Sequence, residues 1–373
     1  MLNKQGKKIQ LFLSFFICYL FASKIAVAQT TTDSSNTSTK INTSVYAEAY
    51  YAVDARENKI YNRSNFLYNH TSTRTFSTNI FFVKLNLEKK YWRFSFSPMF
   101  GTYANANLSN ERRFVKNIFE ANVGLKISKK KNIWLDAGVL PSHIGFESAI
   151  GADNLTLTRS IAAENSPYFE SGIRLSYTST NQKIYFAFLL LNGWQKIYPI
   201  NFEFEPAAGI QLLYSFSKTS SINLSNILVQ GKNAGFLYYR FFNNVYFKKQ
   251  LFNKFEFVAG LDYGIQENAF TKTIEHWFSP QIVVAFKPST NLNFALRLEN
   301  YTDKNNAVIL PLLPSQVQVN LNGVSINADY KLKENFFFRL EAKKLYNSQD
   351  IFGELNSLKK DNLMFTFSVC YKN

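Results

Sequence analysis

Asn291-Leu292-Asn293-Phe294-Ala295-Leu296-Arg297-Leu298-Glu299 changes character at almost every step, with Leu292, Phe294, Leu296 and Leu298 on one parity and Asn291, Asn293, Arg297 and Glu299 on the other. Successive side chains of a strand point to opposite faces, so a period of two describes a sheet with one greasy and one wet face. The alternation recurs at 119–128, where Phe119, Ala121, Val123, Leu125 and Ile127 oppose Glu120, Asn122, Lys126 and Ser128. It returns at 336–343, where Phe336, Phe338, Leu340 and Ala342 oppose Phe337, Arg339, Glu341 and Lys343. A strand standing between hydrocarbon and a wet interior is written this way.

Working outward, the pattern predicts strands near 44–55, 74–88, 91–104, 113–128, 132–140, 168–179, 183–194, 206–217, 221–231, 235–248, 254–266, 275–287, 291–301, 317–331, 335–346 and 361–371. That is about 16 strands, within a range of roughly 12 to 18, and single-chain bacterial barrels use an even number. Short lysine-bearing turns alternate with the longer stretches 56–73, 105–112, 141–167, 195–205, 267–274, 302–316 and 347–360; only the connection near 231–235 breaks the order. Short periplasmic turns and long outer loops produce that asymmetry. The fold class is therefore all-β, a transmembrane antiparallel β-barrel over 44–373. One phase slip is expected at Gly323, where Val317, Val319 and Leu321 give way to Val324, Ile326, Ala328 and Tyr330; a glycine bulge would explain it.

The first 28 residues read as an export signal, with Lys4, Lys7 and Lys8 ahead of an apolar run from Leu11 to Phe21 and a small-residue site at Ala26-Val27-Ala28. Residues 29–43, rich in Ser, Thr and Asn, read as a flexible tether. Cys18 leaves with the signal, so Cys370 stands alone and no internal disulfide is expected. The formal +16 loses lysines 4, 7, 8 and 24 on cleavage and becomes +12. Much of that surplus sits in scattered turns, which makes no groove for a nucleic-acid backbone. The chain carries 37 Phe and 21 Tyr, an aromatic load that suits a lipid band and its interfacial girdles.

The longest loop, 141–167, is the third outer loop by this count and holds His143, Glu147, Asp153, Arg159 and Glu164 among Gly145, Gly151 and Pro167. It is the candidate constriction, by analogy with general porins whose third loop folds into the lumen; a surface loop is the alternative. Polar-face parity points Arg93, Glu120, Lys126, Arg174, Arg297, Glu299, Arg339 and Glu341 inward as candidate pore-lining residues, together with Lys84, Lys331, Lys343, Glu88, Asp136, Glu256, Asp262 and Asp329. Both signs balance there, compatible with ion pairs between neighbouring strands or with a transverse field across a channel. The last strand, with Leu363, Phe365, Phe367, Val369 and Tyr371 on one face, resembles the closing strand that barrel-assembly machinery recognises, although Lys372 and Asn373 follow it.

Leu135-Asp136-Ala137-Gly138, Ser142, Gly145-Phe146-Glu147, Asn154, Thr158-Arg159-Ser160, Pro167, Ser171-Gly172 and Asn192-Gly193-Trp194 together resemble the OmpL-like β-barrel porins, outer-membrane proteins of Gram-negative bacteria. The resemblance implies a porin and brings no substrate or catalytic residue with it.

The functional expectation is an outer-membrane porin for passive diffusion of small hydrophilic solutes or ions, because a barrel of about 16 strands leaves an aqueous interior whereas 8 strands are filled by side chains. The alternative is a structural or adhesive barrel without a conducting pore. A barrel hydrolase is the third reading, and its candidates are His70, His143 beside Ser142, and His276. Neighbours on an extended chain point apart, which weakens the Ser142-His143 pair as a catalytic unit. No paired His/Cys spacing or phosphate-cradling loop is present, so no metal and no cofactor is expected. An energy-coupled transporter would need a plug domain of about 100 residues ahead of the first strand. Expected partners are outer-membrane lipid and lipopolysaccharide, assembly machinery and small solutes, with a homo-oligomer open and no nucleic acid.

Overall fold

The computed structural model describes residues 39–373 apart from 57–61, 113, 199–204 and 314–316; the expected signal and residues 29–38 of the expected tether lie outside the described residues. Sixteen strands follow in order: β1 Lys40–Asp54, β2 Ser77–Glu88, β3 Trp92–Phe100, β4 Ile118–Lys126, β5 Asn132–Pro141, β6 Phe169–Thr178, β7 Ile184–Leu191 and β8 Ala207–Ser217. The second half comprises β9 Ser220–Asn233, β10 Phe236–Leu251, β11 Phe255–Glu267, β12 Ile274–Phe286, β13 Leu292–Asp303, β14 Val319–Lys333, β15 Phe336–Asn347 and β16 Asp361–Lys372. Each pairs antiparallel with its sequence neighbours, and β1 closes on β16 from Tyr46 opposite Lys372 to Asp54 opposite Met364. Closure removes both sheet edges, which a chain in hydrocarbon must do because no water is there to satisfy open backbone groups.

Residues 40–43 of the expected tether belong to β1. The expected strand 91–104 stops at Phe100, where Thr102–Asn107 winds into a short helix, α1. Short turns and long loops alternate as the sequence implies. The exception at 231–235 is a two-residue outer turn in which Ala234 and Gly235 both take positive φ, 47° and 85°. That geometry matches the natural twist of paired strands, and glycine accepts it without steric cost.

Outward parity is apolar and uncovered: Leu292 is 38% exposed, Phe294 44%, Leu296 42% and Leu298 48%. The same row continues around the wall through Val123, Leu125, Phe186, Phe188, Leu224, Ile282 and Phe365. A continuous apolar belt of this size has no place on a water-exposed monomer and marks the lipid face. Inward parity holds Arg297 and Arg339 at 0% and 2% exposed.

Two expectations about phase are corrected. β14 keeps unbroken register through Gly323, which faces Glu299 on β13 and Leu345 on β15; the irregularity lies at Lys331/Lys333. Val319 and Leu321 point inward together with Gly323, Ser325 and Asn327, so what changes along the strand is what it faces inside. Its outer end meets apolar loop residues. Phe119 is also not on the lipid face, because the β3–β4 register shifts between Ser97 and Pro98 and turns its ring inward to stack on Phe82 at 4.8 Å.

The outer half of the interior is filled by an apolar layer that parity alone did not reveal. Phe66 and Leu67, Ile309, Ile351 and Phe352 from three outer loops pack on inward Leu189, Leu191, Val229, Phe242, Trp277, Leu321 and Leu345. In this half of the barrel both faces of several strands are apolar, one against lipid and one against folded-in loops.

Candidate functional site

The loop between β5 and β6, residues 142–168, lies inside the barrel. Irregular backbone buried away from water must find partners for its N–H and C=O groups. The strands supply them with charged side chains. Glu341 of β15 accepts from the Thr158 N–H at 2.5 Å and from its hydroxyl at 2.9 Å. Glu299 of β13 accepts from the Ile161 N–H at 2.6 Å, and Asn327 of β14 from the Leu157 N–H at 2.9 Å. In the other direction Arg297 donates to the Thr158 carbonyl and the Thr156 hydroxyl, each at 2.7 Å. Lys343 donates to the Arg159 carbonyl at 3.1 Å, and Arg339 to the carbonyls of Gly151 and, at 3.0 Å, Asn154.

These same groups neutralise one another. Arg297 lies 3.3 Å from Glu147 and 3.2 Å from both Glu299 and Glu341. Lys343 lies 3.0 Å from Glu299, and Arg339 lies 2.8 Å from Asp329. The inward charges of β13–β15 therefore form a clamp that fastens the loop to one side of the barrel. Within the loop, Ser160 caps a single helical turn, α2 Ile161–Glu164, by accepting from the Ala163 N–H at 3.1 Å, while Glu147 accepts from the Ser160 N–H at 3.0 Å.

The other loop candidates divide in role. His143 anchors the loop base: Nδ1 lies 2.6 Å from Glu170 and Nε2 donates to the Asn226 carbonyl at 2.8 Å. Burial disfavours its charged form, but the Glu170 carboxylate and the Asn226 carbonyl outweigh that and raise its pKa. Ser142 hydrogen-bonds Glu170 at 3.1 Å, not the His143 ring, so the two make no nucleophile–base pair. Glu164 accepts from the Tyr68 and Asn69 N–H groups of the first outer loop, at 2.8 and 3.1 Å. Arg159 lies over the Tyr168 ring at 3.4 Å. Asp153 pairs with Lys372 of β16, so the residue after the last aromatic ties this loop to the closing strand.

On the facing wall Arg93 meets Asp136 at 2.6 Å and Arg174 meets the same carboxylate at 3.2 Å. Glu120 pairs with Lys84 at 2.7 Å, and Lys126 is half-buried at the short-turn end of β4. Between this wall and the loop lies a cavity of about 250 Å³ whose polar lining includes Glu120, Glu147, Asn244, Asp262 and Gln281. Below the loop, on the short-turn side, a wider vestibule of about 820 Å³ is bordered by Asn154, Lys254, Lys287, Asp329 and Arg339. Sequence reasoning missed Asn244, Gln281 and the inward ring of Phe119, because neutral amides stand out only weakly on a wet face and a register shift has no composition of its own.

A family model described as "Putative beta-barrel porin-2, OmpL-like" matches residues 40–372. No curated protein sequence matches the chain. The barrel is similar to the outer membrane channel DcaP of Acinetobacter baumannii, with a TM-score of 0.59 and 10% identity over 92% of this chain and 99% of that one. It is also similar to an anion-selective porin from Comamonas acidovorans, with a TM-score of 0.59 and 8% identity over 90% and 100% of the two chains. Against OmpF of Salmonella typhi the TM-score is 0.56 and the identity 12%, covering 89% and 97%. At these identities the likeness is one of fold.

Proposed function

This chain belongs to the OmpL-like β-barrel porin-2 family of the outer membrane, and on that premise we propose that small hydrophilic solutes and ions pass it by diffusing between the clamped loop 142–168 and the wall of β3–β6 and β10–β12. The observation that carries the reading is that the middle of the loop, from Glu147 to Ile161, is fastened on β13–β15, while its base is held by Glu170, Asn226 and Asn244. Arg297, Arg339, Lys343, Glu299 and Glu341 hold the loop against β13–β15, and a cavity of mixed polar and apolar lining stays open on the opposite side, above the wider vestibule. His143, Glu147, Asp153, Arg159 and Glu164 then act as constriction-loop residues, most of them by fixing its shape. Arg93, Glu120 and Arg174 line the free wall. Lipid and lipopolysaccharide cover the apolar belt, assembly machinery engages the β16 end, residues 1–28 direct export, and a homo-oligomer is compatible with the fold.

A non-conducting structural or adhesive barrel is the second reading, favoured by the apolar layer that the outer loops build across the interior. Catalysis has little support, since both ring nitrogens of His143 are engaged in anchoring. Planar-bilayer recording separates the first two readings. The protein refolded from detergent should give stepwise conductance in salt, and deleting residues 146–160 should raise the step size. A barrel that folds yet gives no steps supports the structural reading.

A further inference from the structure

The cavity beside the loop contains a carboxylate without a counter-charge. Asp262 on β11 is 3% exposed and accepts from Asn244 Nδ2 at 2.5 Å. Among the described residues no Lys, Arg or His nitrogen lies within ion-pairing distance of it. Other inward acids nearby differ: Glu120 has Lys84, Glu147 has Arg297, and Asp136 has Arg93 and Arg174. Next to Asp262 in the cavity lining, Gln281 is 5% exposed and its Oε1 has no hydrogen-bond partner. The cavity thus offers two buried acceptors that no cation among the described residues pairs, one of them ionisable, while Arg159, the cation in its lining, lies over the Tyr168 ring and donates to the Ala163 carbonyl. Its walls also carry aromatic rings: Phe146, which meets Tyr246 edge to face at 5.6 Å, and Phe119.

We propose that this cavity is a subsite for small organic cations, with a protonated amine donating to Asp262 and to Gln281 Oε1 and its apolar body resting against Phe146 and Phe119. An ammonium has donors only, which matches the acceptors Asp262 and Gln281 Oε1, and aromatic faces attract cations. A carboxylate or an alcohol of the same shape would leave the buried charge uncompensated. At about 250 Å³ the cavity admits only a small solute. The inference rests on the porin reading for the solute's route and on Asp262 for its selectivity.

Calorimetry on the protein in detergent, titrated with phenylethylammonium chloride, tests binding, with 2-phenylethanol and 3-phenylpropionate as neutral and anionic probes. Current block by the same three compounds in planar bilayers tests passage. The amine alone should bind and block, and Asp262→Asn should weaken it by about tenfold, the loss of one charge-assisted hydrogen bond. Should Asp262→Asn fail to fold, Gln281→Leu reads the same site and should weaken the amine by a smaller factor. Equal binding of amine and carboxylate, or binding unchanged in the folded variant, overturns the subsite. Amine binding in a barrel that never conducts overturns the diffusion reading and keeps the subsite; conductance without discrimination does the reverse.

Discussion

Arg297 offers the sharpest test of the clamp. It is fully buried, shares its charge among Glu147, Glu299 and Glu341, and donates to the Thr156 hydroxyl, the Thr158 carbonyl and Ser325 Oγ. In Arg297→Met, Glu299 keeps Lys343 at 3.0 Å as its cation, whereas Glu341 and Glu147 are left with neutral donors from Thr158 and Ser160. Removing one partner of a buried pair costs about 3–5 kcal/mol, and the surviving lysine places this site near the lower value. A loss of about 3 kcal/mol raises the population of a locally released loop by roughly a hundredfold. The midpoint of heat-modifiable gel migration should fall, and bilayer traces should show intermittent larger openings. The double variant Arg297→Met/Glu341→Gln should recover part of the loss, because it neutralises the carboxylate that the first change strands. The reasoning is refuted if the single variant melts with wild type and conducts at one unchanged level.

Three further outcomes are expected. His143 has a folded pKa raised above the ordinary value of 6.5, so its contribution is complete below that pH and is lost as pH rises through the folded value. The heat-modification midpoint should decline between neutral and alkaline pH, and His143→Gln should flatten that slope; parallel curves would refute the linkage. Gly323→Ala places a Cβ 2.6 Å from Glu299 Cγ and 2.9 Å from Leu345 Cδ2. Glu299 is held by Lys343 and by the Ile161 N–H and cannot yield freely. About 1–3 kcal/mol of destabilisation by overpacking should follow in urea unfolding from vesicles. In a Cys370→Ser background, Phe119→Cys should react with a membrane-impermeant thiol reagent and Val123→Cys should not; the opposite order would refute the inward turn of β4.

Barrel, strand number and the wet or greasy assignment of most positions were legible in the chain, because alternation is a local property. Leu292 to Glu299 need only their own backbone to decide which way they point. The long and short connections were legible for the same reason, and so was the position of loop 142–168 as the third on the outer side.

Three-dimensional structure decided what the inward residues meet. Arg297, Arg339 and Lys343 read as lumen charges, but only the folded loop makes them its backbone partners. Leu189, Val229, Val319 and Leu321 carry the composition of lipid-facing positions, and only the infolded loops show that they cover an internal apolar layer. Phe119 follows the alternation until a register shift against β3 reverses it. Such facts depend on residues distant in the chain, and no periodicity encodes them: a strand's own sequence says which face is apolar, while the chain packed against that face determines whether the apolar side chain meets lipid or protein.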